Sequence, residues 1–200
     1  MLTPAAMRYI PNLLTAARIV LTPAVLLLLT VPSLAGQTAA VVLFVAASVS
    51  DYYDGALARR IGARSRLGQF LDPLADKILV LGVFATLAVL EPDIVPWWAV
   101  AVIALRDLVV TGVRTWAESH GRTLRTFWMA KLKTLVQLSF LFWMLVLRAA
   151  SHLPLPIRHG AEWLLDGSIA AYGFLLVVVA FTVGTGVLYI VQPQEDVLDA

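Results

Sequence analysis

The stretch from Asp51 to Asp76 contains four carboxylates in two closely spaced pairs and reads DYYDGALARRIGARSRLGQFLDPLAD. On an α-helix successive residues are about 100° apart, so Asp51 and Asp54 lie within one arc of a helix. Asp72 and Asp76 lie four residues apart and form one stripe with Gly68. The spacing therefore predicts two neighbouring helices that bring four acids together.

These acids are candidate metal ligands because carboxylates held close together in a medium of low dielectric repel one another. A bound divalent cation, or a pair of cations, compensates for that repulsion, and all-oxygen ligands favour Mg²⁺, Mn²⁺ or Ca²⁺ over softer metals. A simple helix cap would explain one acid, such as Asp72 before Pro73. It does not explain a set of acids on consistent faces, so we predict a metal site formed by Asp51, Asp54, Asp72 and Asp76.

Small side chains and one arginine accompany the acids. Gly55, Ala58 and Gly68 lie on the same predicted faces and leave room for a ligand. Arg59 lies at the edge of the first arc and offers a planar fork of donors to a phosphate.

The composition indicates a membrane protein, because 60% of the residues are hydrophobic and only 14% are charged. Six apolar stretches approach the roughly 20 residues needed to cross a hydrocarbon core, at 11–32, 36–60, 69–90, 94–116, 128–149 and 168–191. We predict an all-α membrane protein with six transmembrane helices in a single domain, 1–200, whose first apolar run is retained as a membrane helix. The absence of cysteine excludes disulfides, zinc–thiolate sites and thiol nucleophiles.

The distribution of Lys and Arg predicts the orientation in the membrane. Only Arg148 and Arg158 fall at the ends of the stretches that point away from the acids. Both termini and the acidic cluster are therefore expected on the cytoplasmic side. The basic residues on that side are Arg8, Arg18, Arg59, Arg60, Arg64, Arg66, Lys77, Arg114, Arg122, Arg125, Lys131 and Lys133.

The pattern D-x2-D-G-x2-A-R-x8-G-x3-D-x3-D, from Asp51 to Asp76, resembles the signature of the CDP-alcohol phosphatidyltransferase family at every fixed position. The resemblance implies a CDP-alcohol phosphatidyltransferase-like bundle that forms homodimers, and two Mg²⁺ or Mn²⁺ ions on the diphosphate of a CDP-linked lipid. Its implied metal ligands are Asp51, Asp54, Asp72 and Asp76, with Asp76 also the general base. Its implied contacts to the CDP-lipid are Gly55, Ala58, Arg59 and Gly68.

Three further segments resemble the bacterial phosphatidylglycerophosphate synthase subfamily. They are 11–18 (PNLLTAAR), 106–114 (RDLVVTGVR) and 131–137 (KLKTLVQ). The resemblance adds Asn12 to the CDP-lipid contacts. An acceptor that carries its own phosphate needs a basic pocket, for which Arg114, Lys131 and Lys133 are the candidates. Asp107 stands where this subfamily usually has Glu.

The expected reaction is transfer of a phosphatidyl group from CDP-diacylglycerol to sn-glycerol 3-phosphate, at the cytoplasmic face of a bacterial inner membrane, with membrane lipid but no nucleic acid as partner. One alternative is a synthase of the same family that uses phosphatidylglycerol, inositol phosphate or serine. A transporter whose acids bind a permeating cation is a second, and a scaffold without catalysis is a third.

Further expectations concern Arg106, Arg18 and the two glycines Gly184 and Gly186. Arg106 lies inside an apolar stretch, where an unpaired charge costs at least about 2.5 kcal/mol, so it is expected to have a partner, and its neighbour Asp107 is expected to point elsewhere. Arg18 fits either the subfamily pattern or a side chain that extends to the membrane surface. Gly184 and Gly186 fit either a close helix contact or chance.

Overall fold

A computed structural model describes residues 10–61, 66–120, 122–123, 128–166, 169–191 and 195–196. Within these, only the backbone is described for 10–17, 51–61, 66–76, 118–119, 122–123, 128–131 and 195–196. The helices in this part of the chain are α1 (Ile10–Leu29), α2 (Leu34–Ile61), α3 (Arg66–Leu90), α4 (Trp97–Ser119), α5 (Trp128–Ala150), α6 (Ile157–Leu165) and α7 (Ile169–Val191). Two short strands, β1 (Arg122–Thr123) and β2 (Glu195–Asp196), pair antiparallel.

The long helices coincide with the six apolar stretches, and the all-helical architecture is that of a membrane helix bundle. In the described part of the chain, two segments are long and apolar enough to cross a membrane, Leu132–Ala150 and Ile169–Val191. Shorter apolar segments occur at Arg18–Leu29, Leu34–Ser50 and Lys77–Leu90. The short helix α6 lies between the fifth and sixth apolar stretches and follows a turn that contains Pro154 and Pro156.

The core is formed by α1, α2, α3 and α5, and α7 packs against α4 and α5. Phe84 of α3 stacks on Phe140 of α5 with ring centroids 5.8 Å apart. Phe140 also meets Phe174 of α7 edge-on at 5.3 Å. Gly82 lets α1 approach α3, because a Cβ at that position would lie 3.1 Å from Cδ1 of Leu26. These contacts hold the helices that carry the polar residues described below.

The outer surface of the bundle is apolar, as expected for contact with lipid chains. Large aliphatic side chains are more than half exposed on several helices, where a protein dissolved in water would present polar groups. Examples are Leu27, Val89, Leu105, Leu108, Val187, Leu188 and Val191. The outward faces therefore support a membrane setting independently of the length of any one helix.

At the end of the bundle away from the acidic motif, a polar cluster joins four segments. The Gln37 amide donates to the carbonyl oxygens of Leu29 and Val31, both at 2.9 Å, and so satisfies the end of α1. Arg148 of α5 pairs with Glu91, in the turn after α3, and donates to the Leu29 carbonyl at 3.4 Å. Burial raises the pKa of Glu91, and the attraction of Arg148 offsets only part of that effect.

We predict that Arg148→Met lowers the free energy of unfolding by about 1–2 kcal/mol, because it leaves a partly buried carboxylate without its cation. The remaining influences on Glu91, which are burial, Asp166 and Asp93, all raise its pKa. A carboxyl group whose pKa is higher in the folded than in the unfolded chain favours folding at low pH and loses this contribution as the pH rises. The loss should therefore be smaller at about pH 5 than at about pH 8, as measured by thermal unfolding in detergent.

The matched control is Arg158→Ala. Arg158 pairs with Glu162 one turn away on α6, with side chains 56% and 41% exposed. An exposed pair of this kind contributes only about 0.5 kcal/mol or less, so this variant should unfold almost like the wild type. Equal losses in the two variants, or a larger loss from Arg148→Met at low pH, would contradict the prediction.

Candidate active site

The acidic motif spans the end of α2 and the beginning of α3. Asp51 and Asp54 belong to the C-terminal part of α2, and Asp72 and Asp76 to the N-terminal part of α3. The two segments are joined through residues 62–65, and α1 packs against both helices. The side chains of the predicted CDP-lipid and metal ligands lie outside the described ones; these residues are Asn12, Asp51, Asp54, Gly55, Ala58, Arg59, Gly68, Asp72 and Asp76.

The chemistry of this donor set fits a divalent metal ion. The four acids supply only oxygen ligands, which suit Mg²⁺ or Mn²⁺. They stand on two helix ends that the short 62–65 connection keeps at the same end of the bundle. The assignment of individual ligands stays a prediction.

Arg18 lies beneath this end of the bundle as a buried charge. Its side chain is only 1% exposed, which argues against a side chain extended to the membrane surface. Its Nε donates to the carbonyl oxygen of Ala47 at 3.4 Å, one helical turn before Asp51 on α2. Arg18 therefore links α1 to the segment of α2 that leads into the motif.

A buried ion pair joins α4 to α5 next to the motif. The Lys133 ammonium donates to both carboxylate oxygens of Asp107, at 2.6 and 2.9 Å. Both residues are largely inaccessible to solvent, Asp107 being 7% and Lys133 6% exposed. A charge in such surroundings is tolerated only when it is paired, so these two residues depend on each other.

Arg106 extends the pair to α7. Its Nε donates to the Thr182 carbonyl oxygen at 3.0 Å, and its Nη2 donates to Oγ1 of Thr185 at 3.1 Å. Its Nη1 lies 3.2 Å from Oδ1 of Asp107. The expectation that Asp107 points elsewhere was therefore wrong, because the long arginine side chain bridges an angular separation that neighbouring residues on a helix normally do not span. The expectation that Arg106 has a partner is confirmed.

Gly186 makes room for the Arg106 side chain where it crosses α7. A Cβ at position 186 would lie 2.9 Å from Cγ and 3.1 Å from Nε of Arg106, closer than ordinary van der Waals contact. A Cβ at Gly184 would meet nothing within 4 Å. Of the two glycines, only Gly186 thus serves a close contact, and that contact is between a side chain and a helix backbone.

Lys77 connects this cluster to the acidic motif. It was not among the site residues predicted from the sequence. Its ammonium donates to the Asp107 carbonyl oxygen at 3.2 Å and to the hydroxyl of Thr111. The Thr111 hydroxyl in turn donates to the same carbonyl at 2.7 Å. Because Lys77 directly follows Asp76, these bonds tie the last acid of the motif to α4. The signal available in the sequence was that Lys77 is a charged residue within the apolar stretch 69–90 and directly follows Asp76.

The residues predicted to bind the acceptor's phosphate have different surroundings. Lys133 is buried and paired with Asp107, whereas Arg114 is exposed on α4, seven residues beyond Asp107. Lys131 belongs to the first turn of α5, and its side chain lies outside the described ones. The network continues inward through Gln137, whose amide donates to the Thr182 hydroxyl at 3.0 Å. Positive and polar groups of α4 and α5 therefore accompany the motif at one end of the bundle.

Comparisons with known proteins identify relatives of this chain. A family model described as CDP-alcohol phosphatidyltransferase matches residues 8–184. A protein of Escherichia coli strain K12 named CDP-diacylglycerol–glycerol-3-phosphate 3-phosphatidyltransferase is 36% identical over 141 residues, which cover 68% of this chain and 76% of that protein. Proteins of the same name from Shigella flexneri serotype 5b and Shigella sonnei match with the same identity and coverage.

We predict that Gly186→Ala lowers the free energy of unfolding by about 1–3 kcal/mol, because the added methyl group displaces Arg106 from its position against α7. Gly184→Ala is the matched control, since it should be neutral or stabilise the helix by up to about 1 kcal/mol. Thermal unfolding of both variants in detergent checks the difference. Equal stability of the two variants would contradict the assigned contact.

Proposed function

Because the chain belongs to the CDP-alcohol phosphatidyltransferase family, we propose that it transfers a phosphatidyl group from CDP-diacylglycerol to sn-glycerol 3-phosphate, with release of CMP. The observation that carries the proposal is the similarity to synthases named for this reaction, which covers more than two thirds of both chains. The signature from Asp51 to Asp76 and the basic residues of α4 and α5 support it. The product is phosphatidylglycerophosphate, a precursor of anionic phospholipids.

The acidic motif would hold the reacting diphosphate. We assign Asp51, Asp54, Asp72 and Asp76 as ligands of two Mg²⁺ or Mn²⁺ ions, which when bound neutralise charge on the diphosphate and on the departing CMP. Gly55, Ala58 and Gly68 leave space for the cytidine end of the donor, with Asn12 alongside. Arg59 donates hydrogen bonds to a phosphate.

Asp76 would act as the general base. Its carboxylate takes the proton of the acceptor's primary hydroxyl as that oxygen bonds to the lipid-bearing phosphorus. The bond from this phosphorus to the bridging oxygen of the diphosphate breaks, and CMP departs with the bridging oxygen. The hydrogen bond from Lys77 to the Asp107 carbonyl oxygen would hold this turn of α3, and with it Asp76, in one position along α4.

The acceptor's own phosphate would bind to the basic groups. Arg114, Lys131 and Lys133 are the proposed ligands, and an acceptor that already carries a phosphate explains why cations stand on two helices beside the motif. Phosphatidylglycerol, inositol phosphate and serine are the competing acceptors within the family. A cation transporter would form no CMP at all.

We further propose six transmembrane helices, α1 to α5 and α7, in a bacterial inner membrane, with both termini and the acidic motif on the cytoplasmic side. The apolar outer surfaces of these helices and the excess of Lys and Arg at one end support this topology. The short helix α6 would then lie at the outer side. The family resemblance supports a homodimer.

The acceptor assignment predicts that purified protein with Mg²⁺ and CDP-diacylglycerol releases CMP when glycerol 3-phosphate is added. Phosphatidylglycerol, inositol phosphate or serine should give only the background rate. The measurement is CMP release in detergent with each acceptor in turn, together with identification of the lipid product. Release that requires one of the other acceptors would overturn the assignment, and cation flux into liposomes without CMP would favour a transporter.

The same assay separates a catalytic acid from a structural one. Asp76→Asn should lower the rate at least about 100-fold, because it removes a general base. The control is Asp93→Asn, since Asp93 is exposed at the opposite end of the bundle and its loss should leave the rate unchanged. EDTA should abolish activity in the wild type, and Mg²⁺ or Mn²⁺ should restore it. Normal activity in Asp76→Asn would contradict its assignment as the general base, whereas a wild type that folds but releases no CMP with any acceptor would favour a scaffold.

The topology predicts opposite accessibility for two single cysteines, and the chain has no cysteine of its own to give a background. Leu155→Cys, at an exposed position before α6, should react with a membrane-impermeant maleimide in intact cells. His120→Cys, exposed after α4, should react only after the cells are permeabilised. Labelling of both from outside would contradict the topology, and cross-linking of the purified variants would test the dimer.

A further inference from the structure

Asp107 contacts residues of three helices and, through Arg106, reaches a fourth. Its carboxylate accepts hydrogen bonds from Lys133 of α5 and Arg106 of α4, and its carbonyl oxygen accepts one from Lys77 of α3. Arg106 in turn holds Thr182 and Thr185 of α7. A single acidic residue thus lies at the point where α3, α4, α5 and α7 meet.

Asp107 holds the Lys133 ammonium in one position as well as neutralising its charge. Two of its hydrogen bonds end on the two oxygens of one carboxylate, so the direction of the side chain is set as well as its depth. Ordering a lysine side chain costs up to about 2 kcal/mol of conformational entropy. A lysine that is already ordered spares a ligand that cost, which is the general advantage of a preorganised site.

Asp107 lies deeper in the bundle than two of the residues predicted to bind the acceptor's phosphate. Arg114 lies two helical turns further along α4, and Lys131 lies two residues before Lys133 in α5. Both lie nearer than the ion pair to the end of the bundle that carries the acidic motif. Asp107 itself is buried and carries the wrong charge to contact an anionic acceptor.

We propose that Asp107 is a positioning residue for acceptor binding, which holds Lys133 directly and anchors Arg106 against α7 so that the basic groups are arranged before the acceptor's phosphate arrives. The proposal rests on the proposed function, because it takes an acceptor with a phosphate as the ligand. It concerns the acceptor alone, since the donor's diphosphate belongs to the acidic motif of α2 and α3.

The opposite end of the bundle offers a comparison for this role. Glu91 and Arg148 form a second, mostly buried ion pair, which joins the α3–α4 turn to α5 at the end of the bundle away from the motif. Loss of either pair should lower stability because it leaves a buried group without its partner. Only loss of the Asp107 pair should also weaken acceptor binding.

The test compares Asp107→Asn with Glu91→Gln. In Asp107→Asn we expect the KM for glycerol 3-phosphate to rise at least about tenfold, as for loss of a hydrogen bond to a charged group. The KM for CDP-diacylglycerol should stay within about twofold of the wild type, and a given concentration of glycerol 3-phosphate should raise the melting temperature less than it does in the wild type, since that shift depends on affinity. Glu91→Gln should keep both KM values and the ligand-induced shift.

A conservative variant keeps the test decisive if Asp107→Asn folds poorly. Asp107→Glu retains the charge, and its KM for glycerol 3-phosphate should lie within about threefold of the wild type, less than one tenfold step of affinity. A merely structural role would lower melting temperature and active fraction in Asp107→Asn without changing the KM for the acceptor, and that result would overturn the proposal. An equal rise of the KM in Glu91→Gln, or a tenfold rise in Asp107→Glu, would overturn it too.

The wild-type control separates this proposal from the proposed function. If wild-type protein releases no CMP with glycerol 3-phosphate, the proposed function fails before any variant is compared. If the wild type uses glycerol 3-phosphate and Asp107→Asn keeps its KM, the function stands and the role of Asp107 fails.

Discussion

The ion pair between Lys133 and Asp107 is the interaction on which the arrangement of the candidate site depends. Neither charge would be stable without the other inside a bundle of apolar helices. The free energy lost when an ion leaves water exceeds what an unpaired ion regains from apolar surroundings. The two bonds of 2.6 and 2.9 Å satisfy both groups and join α4 to α5. Lys77 and Arg106 then tie α3 and α7 to the same point.

The two ends of the bundle use buried charge differently. At the end away from the acidic motif, Arg148 pairs with Glu91, and Arg148 and Gln37 both donate to the Leu29 carbonyl oxygen at the end of α1. At the end of the acidic motif, the paired charges stand beside groups suited to an anionic substrate. The first cluster contributes to stability, whereas the second would also order the basic side chains that the proposed phosphate recognition needs.

The fold also explains how a lipid donor and a soluble acceptor would meet. The outward faces of the long helices are apolar and suit the acyl chains of the donor and of the product. The acids of α2 and α3 and the cations of α4 and α5 lie at one end of the bundle, where a water-soluble acceptor would have to enter. Members of the same family differ in the acceptor, so the cations of α4 and α5 are where specificity within this scaffold would reside.

The sequence by itself determined the helical architecture, the apolar stretches, the signature from Asp51 to Asp76 and the family, because helix periodicity and residue spacing are local properties. The tertiary structure decided that Arg106 reaches both Asp107 and α7 and that Lys77 joins the cluster. It also decided that Arg18 is buried and that the short helix α6 forms between α5 and α7. A helical angle gives the direction of a Cβ, but the path of a long arginine or lysine beyond it depends on which neighbouring helix leaves space. Gly186 provides that space for Arg106, and only the packing of α4 against α7 identifies it.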